Sequence, residues 1–170
     1  MLATAVTVPV VLALLVVIQL SLRNVEDRAP LPNLGQRNLP VIDVDTPPVE
    51  PAVEAVCLSL ITSLPLSLDG QPSRPVRSLL PTAYAWGEDP TVLRCGVTRP
   101  GGYLIGVSTL AISGVEWFFE TAASGTTYTA VDRGIYIEVS VPSSADGGAT
   151  LAILAPVIVS TLPYAPPVPG

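Results

Sequence analysis

Residues 2–22, LATAVTVPVVLALLVVIQLSL, contain no charged side chain, and no other feature restricts the possible folds as much. A helix of about twenty residues, rising about 1.5 Å per residue, matches a bilayer core of roughly 30 Å. The run therefore predicts a transmembrane anchor, with the lipid bilayer as the partner of residues 2–22. Pro9 falls in the first turns, where a helix tolerates proline best. The alternatives are a cleaved signal peptide and a buried helix of a soluble protein. Against cleavage, the run leads into Arg23, Asn24 and Val25 without a small-x-small site. No cysteine follows it to carry a lipid, which removes a lipoprotein anchor. Orientation draws two opposed arguments. Arg23 and Arg28 favour a cytoplasmic domain by the positive-inside rule, whereas two cysteines farther along favour the outside. The cysteines are given the greater weight. The expected location is the cell membrane, single-pass, with the domain on the extracytoplasmic side.

Residues 23–52 read as a proline-rich acidic tether. Prolines 30, 32, 40, 47, 48 and 51 fall in it, and three Arg against five Asp or Glu give a net charge of −2. Each proline fixes φ and disfavours helix in its predecessor, so DTPPVEP is extended chain. At about 3.1 Å per residue the tether reaches up to roughly 90 Å. No PxxP string with an adjacent basic residue marks it as a ligand for an aromatic groove. Residues 164–170, YAPPVPG, read as a disordered tail.

Composition narrows the chemistry. All eight basic residues are arginine, and the chain has neither lysine nor histidine. The usual general base, the Schiff-base amine and histidine metal ligands are missing together. No cofactor and no metal site is expected. The formal charge of −6 leaves no basic patch to neutralise phosphates, so nucleic acid is excluded as a partner.

Residues 53–163 remain for a folded domain, enough for one core. PAVEAVCLSLITSLP places Val53, Val56, Cys57, Leu60, Ile61 and Leu64 on one helical face, and Pro65 ends the helix. SLDGQP is a turn, and PTVLRCGV is a strand closed by TRPGG. GVEWFFE alternates Val115, Trp117 and Phe119 inward against Glu116, Phe118 and Glu120 outward. TTYTAVDR pairs with it after a turn at Ser124-Gly125. GIYIEVSV turns Ile135, Ile137, Val139 and Val141 inward, and ATLAILAPVIVSTL is a second helix bent at Pro156. The expected class is α+β, a two-layer sandwich of an antiparallel meander of four or five strands flanked by an N-terminal and a C-terminal helix.

Cys57 lies on the buried face of the first helix and Cys95 on that of the first strand. A helix packed on a sheet brings two such Cα atoms within the roughly 4.4–6.8 Å that a disulfide needs. Behind an export-type segment the pair reads as a bridge; two independent buried thiols are the alternative. Spacing and ligand number fit neither a redox motif nor a metal site.

The strings AWGEDPTVLRCGV, GVEW and RGIYIEVSVP, behind a helical cysteine followed by LP, resemble the actinobacterial domain-of-unknown-function family 3515. The resemblance covers about residues 54–162. It implies a single-pass anchored or exported protein with this cysteine pair and no assigned activity. Ser113 stands where the family pattern has Asn, and Glu116 where it has Asp.

Arg94 is the one charge inside an otherwise apolar strand, and alternation turns it away from Cys95. The plainer expectation is an ion pair with an acid on an adjacent strand, its stem covering Trp86 or Trp117. The sharper one is a partner surface made by Trp86, Gly87, Arg94 and Trp117. Without histidine or lysine a serine nucleophile has no ordinary base, and no catalytic residue is assigned. Carboxylate pairs remain, Glu116 with Glu120 or Asp132 with Glu138, as an envelope hydrolase would use them. The expected function is a non-catalytic interaction domain of the cell envelope that binds a protein or wall-polymer partner. A carboxylate hydrolase and a small-ligand carrier or sensor are the alternatives.

Overall fold

The structure is a computed structural model that describes residues 39–170. The transmembrane helix expected over residues 2–22 lies outside the described residues, as does the first part of the tether. Among the described residues no helix is long and apolar enough to cross a membrane.

Among the described residues two helices form where the apolar spacing places them. Helix α1 (Pro51–Ser63) opens on proline, whose missing N–H costs nothing at a helix start. It buries Cys57 and Leu60, with Leu64 just past its end. Helix α2 (Gly147–Thr161) is capped by Asp146, whose carboxylate accepts the Ala149 N–H at 3.1 Å. Leu151, Leu154, Ala155 and Ile158 are buried along it, while Pro156 faces solvent.

The strands are β1 (Ile42–Asp43), β2 (Ser67–Leu68), β3 (Gln71–Arg74), β4 (Val76–Arg77), β5 (Ala83–Trp86), β6 (Thr91–Val97), β7 (Leu110–Ile112), β8 (Val115–Ala122), β9 (Gly125–Ala130) and β10 (Tyr136–Pro142). Eight of them build one antiparallel sheet in the order β2-β3-β5-β6-β10-β9-β8-β7, and β1 pairs with β4 in a small parallel ribbon. The α+β class and the two layers agree with expectation; the strand number and path do not. After β6 the chain crosses to the far edge, enters β7, and returns through β8 and β9 to lay β10 beside β6. The additional strands β2, β3, β5 and β7 hold two to four residues each, too few to display a period of two.

Both helices cover one face of the sheet, called inner here. Its core joins Cys57, Leu60, Leu151, Leu154 and Ile158 to Trp86, Leu93, Cys95, Trp117, Ile137 and Val139 of the strands. On β6 a register shift opposite Tyr136 and Ile137 leaves Gly96 as a bulge at φ +82°. A Cβ there would stand 2.7 Å from Val49, so only glycine serves.

The outer face departs from the simple alternation. Phe118, expected outward, does point outward but is buried under Tyr103 of the 98–109 crossover, their rings 5.6 Å apart. A long crossover can shield part of a second face, which alternation within one strand does not reveal.

Both proline-rich flanks also rest on the domain. In the tether, Ile42 and Val44 donate to Pro75 and Arg77 carbonyls, and Thr46 is buried with its hydroxyl accepting from Leu80 N–H. Helix α1 begins inside the span assigned to the tether. In the tail, Ala165 N–H donates to Asp132 O and Gly170 N–H to Tyr103 O, in place of the disorder expected over residues 164–170. Prolines exclude helix but leave an extended strand free to bond through the amides between them.

Candidate functional site

Cys57 and Cys95 are joined in a disulfide, with their Cα atoms 5.6 Å apart and both side chains fully buried. The bridge ties the middle of α1 to the middle of β6, so the strand that carries Arg94 is fixed from behind. No free cysteine remains among the described residues.

Arg94 points from β6 to the outer face, opposite Cys95. The register sets it directly across from Glu138 on β10. Its Nε donates to Glu138 Oε1 at 2.9 Å, Nη2 donates to the same oxygen, and Nη1 donates to Asp45 O at 3.2 Å. The Arg94 side chain is 31 % exposed and that of Glu138 16 %, so the pair is half-shielded from water. The expected ion pair with an acid on the next strand is present. Its third donor reaches the tether, which sequence spacing alone does not reveal.

Around this pair lies a polar cleft of about 290 Å³, lined among others by Asp45, Arg94, Arg99, Glu120 and Glu138. Two guanidinium groups and three carboxylates share it. Such a mixture suits a ligand that offers both signs of charge.

The expected patch of Trp86, Gly87, Arg94 and Trp117 is not formed. Trp86 and Trp117 are 1 % and 0 % exposed, and both lie on the inner face beneath the helices. Trp86 donates its Nε1–H to Pro65 O at 2.8 Å, closing the end of α1 against β5. Gly87 is buried in a turn at φ +82°, its N–H bonded to Pro72 O. Neither tryptophan is covered by the stem of Arg94. In each case strand parity decides: Trp86 and Trp117 share the inner rows with Leu93 and Cys95, and Arg94 does not.

Three of the four carboxylates considered for hydrolysis are already engaged. Glu138 is held by Arg94, and Glu116 accepts the Thr109 hydroxyl at 2.8 Å. Asp132 stands 3.5 Å from Arg133 in a pair whose side chains are 6 % and 3 % exposed. Glu120 is exposed. Nearby, burial pushes the Tyr103 hydroxyl above its ordinary value of 10.0, and Glu116, Tyr136 and Asp132 push it further the same way. The site for a carried ligand, between sheet and helices, is filled by Trp86, Trp117 and the aliphatic core.

Three functional or structural side chains were not singled out from sequence. Arg74 donates to Gly87, Glu88 and Pro40 carbonyls and so clamps the tether to the sheet. Arg133 donates to Gly114 O at 2.7 Å from a buried position at the rim. Tyr103 roofs Phe118. The only signal for the two arginines is their scarcity in an apolar context.

The Ser113-Gly114 departure has a local account. The two residues form the loop between β7 and β8, where Ile112 pairs with Val115. Both have positive φ, 49° and 83°. That is the geometry of a tight hairpin turn, for which Asn-Gly is the favoured pair. The Asn expected at 113 therefore matches a turn requirement and needs no ligand to explain it.

No curated protein matches this chain. No solved structure matches it either. A family model described as "Protein of unknown function (DUF3515)" matches residues 4–167, which extends the resemblance at both ends to include most of the N-terminal run and the tail. The chain belongs to this family.

Proposed function

We propose that this chain is a membrane-anchored, extracytoplasmic, non-catalytic domain of the cell envelope that binds a protein or wall-polymer partner. The observation that carries the reading is the Cys57–Cys95 bridge, because such bonds persist in oxidising compartments and are rare in reducing ones. The uncharged run over residues 2–22 supplies the anchor in this reading. The polar cleft around Arg94 and Glu138 supplies a partner surface on the sheet face that the helices leave open. Engagement of Glu116, Asp132 and Glu138 with neighbours weighs against a carboxylate hydrolase.

The test is thiol trapping of the chain in intact cells. Lysis in denaturant with an alkylating reagent, which exposes both buried cysteines, should leave Cys57 and Cys95 unlabelled until a reductant is added. Full labelling without reductant places the chain in a reducing compartment and overturns the proposal.

A further inference from the structure

The tail over residues 165–170 lies in a seat with the attributes of a peptide site. Of these six residues only Ala165, Val168 and Gly170 possess an amide hydrogen, the others being proline. Two of those three are donated to the domain: Ala165 to Asp132 O at 2.9 Å and Gly170 to Tyr103 O at 3.0 Å. The domain donates in return, from Ile105 N–H to Gly170 O at 3.2 Å. Burial alternates without exception, with Ala165, Pro167 and Pro169 half-buried and Pro166, Val168 and Gly170 exposed. An extended chain with one face on a support gives that pattern. The two anchor points flank one buried cluster, since Tyr103 belongs to it and Asp132 follows Val131, another member, with Phe118 completing it. Tyr136 packs against the same cluster.

Backbone bonds with alternating burial are how an extended strand is held, and an aromatic-rich support under a stiff chain is how proline-rich segments are recognised; the seat combines the two. We propose that this seat, on the outer side of the sheet beside the 98–109 crossover, is a binding site for an extended proline-rich segment of another protein, occupied in cis by residues 165–170. The partner segment presents proline or a small residue at every second position and has no charged side chain, as residues 165–170 have none. The inference goes beyond the envelope reading and does not depend on the compartment. Failure of the thiol-trapping result would leave it standing.

The test uses the full chain and a fluorescent peptide with the sequence of residues 163–170. In the natural chain the Ala165 and Gly170 amides should exchange slowly with deuterium. In a Pro167→Asp, Pro169→Asp full-chain variant that protection should be lost while the cooperative melt of the domain is retained. Fluorescence anisotropy should then show saturable peptide binding to the variant. Binding to the natural chain should be at least about tenfold weaker, because its own tail competes at millimolar effective concentration. The same peptide methylated on nitrogen at the Ala165 and Gly170 positions should bind the variant at least about tenfold less tightly, having lost both donors. Fast amide exchange in the natural chain, no saturable binding to a variant that melts normally, or equal binding of the methylated peptide would each overturn the proposal.

Discussion

The two faces of the sheet are built on opposite principles. The inner face is dry and covalently tied, with Trp86, Leu93, Trp117 and Ile137 beneath two helices and a disulfide through the middle. The outer face presents Arg94, Glu138, Thr127, Thr129 and Glu120 and is covered by chain that is neither helix nor long strand: the tether, the crossover and the tail. Arg74, Arg94 and Arg133 hold backbone carbonyls on this side or at its rim, while no arginine among the described residues enters the inner core. One face thus stores the stability of the domain, and the other holds segments by a few directed hydrogen bonds. Segments held in that way can be exchanged without unfolding the core, which suits the face to recognition.

That contrast fixes where substitutions should hurt most. Trp117→Ala should cost about 3–5 kcal/mol, because a fully buried indole between sheet and α2 leaves a void that neighbours cannot fill. Chemical denaturation of the full chain measures it; a loss under about 1 kcal/mol would break the claim that the inner face carries the stability. Next comes Arg133→Ala, at about 3 kcal/mol. Removing it strands the Asp132 carboxylate beside it, itself 6 % exposed, and frees the Gly114 carbonyl of the hairpin turn. If Arg133→Ala costs clearly more than Trp117→Ala, the rim belongs energetically with the core, and the division between the faces must be redrawn there.

Arg94→Ala should be milder, about 1–2 kcal/mol. Its pair with Glu138 is partly open to water, which lowers the value of the attraction, yet Glu138 would lose the donors to a mostly shielded oxygen. Arg94→Lys should recover part of the loss, since a lysine restores one charge but not the planar fork that reaches both Glu138 and Asp45 O. Equal stability of the alanine and lysine variants would show that neither the charge nor the aliphatic stem contributes, and that the arginine acts only through the directed hydrogen bonds of its fork.

The legibility of the sequence divides along the same line. The apolar positions of α1, β6, β10 and α2 are placed by periodicity, because burial on one face imposes a period of 3.6 or 2 over enough residues to be seen. Cys57 opposite Cys95 follows from the same faces, and so does an acid opposite Arg94. The tryptophans fail as surface residues by parity: Trp86 and Trp117 sit in phase with Leu93 and Cys95. The coverage of the outer face was not legible. It depends on backbone carbonyls of Pro40, Asp45 and Gly114 meeting distant arginines, and a carbonyl leaves no residue signature. Proline-rich flanks hide their docking in the same way, since their composition is also that of free chain.

The smallest effect expected is a gain. Ser113 holds φ +49° in the two-residue turn between β7 and β8, a conformation that costs most residues about 1–2 kcal/mol and asparagine less. Gly114 beside it already meets the same demand at φ +83°, so only the first turn position is imperfect. Ser113 is exposed, and its replacement crowds no neighbour. Ser113→Asn should therefore stabilise the chain by about 0.5–1 kcal/mol, read as a higher denaturation midpoint at unchanged slope. The turn ends at the edge strand β7, and its Gly114 carbonyl is the acceptor for Arg133, so a tighter turn should also slow exchange at the β7–β8 amides. A loss of stability would mean that the serine makes a contact asparagine cannot. The turn would then be set by what lies on the outer face and not by backbone preference, and the difference between the faces would extend into the hairpin itself.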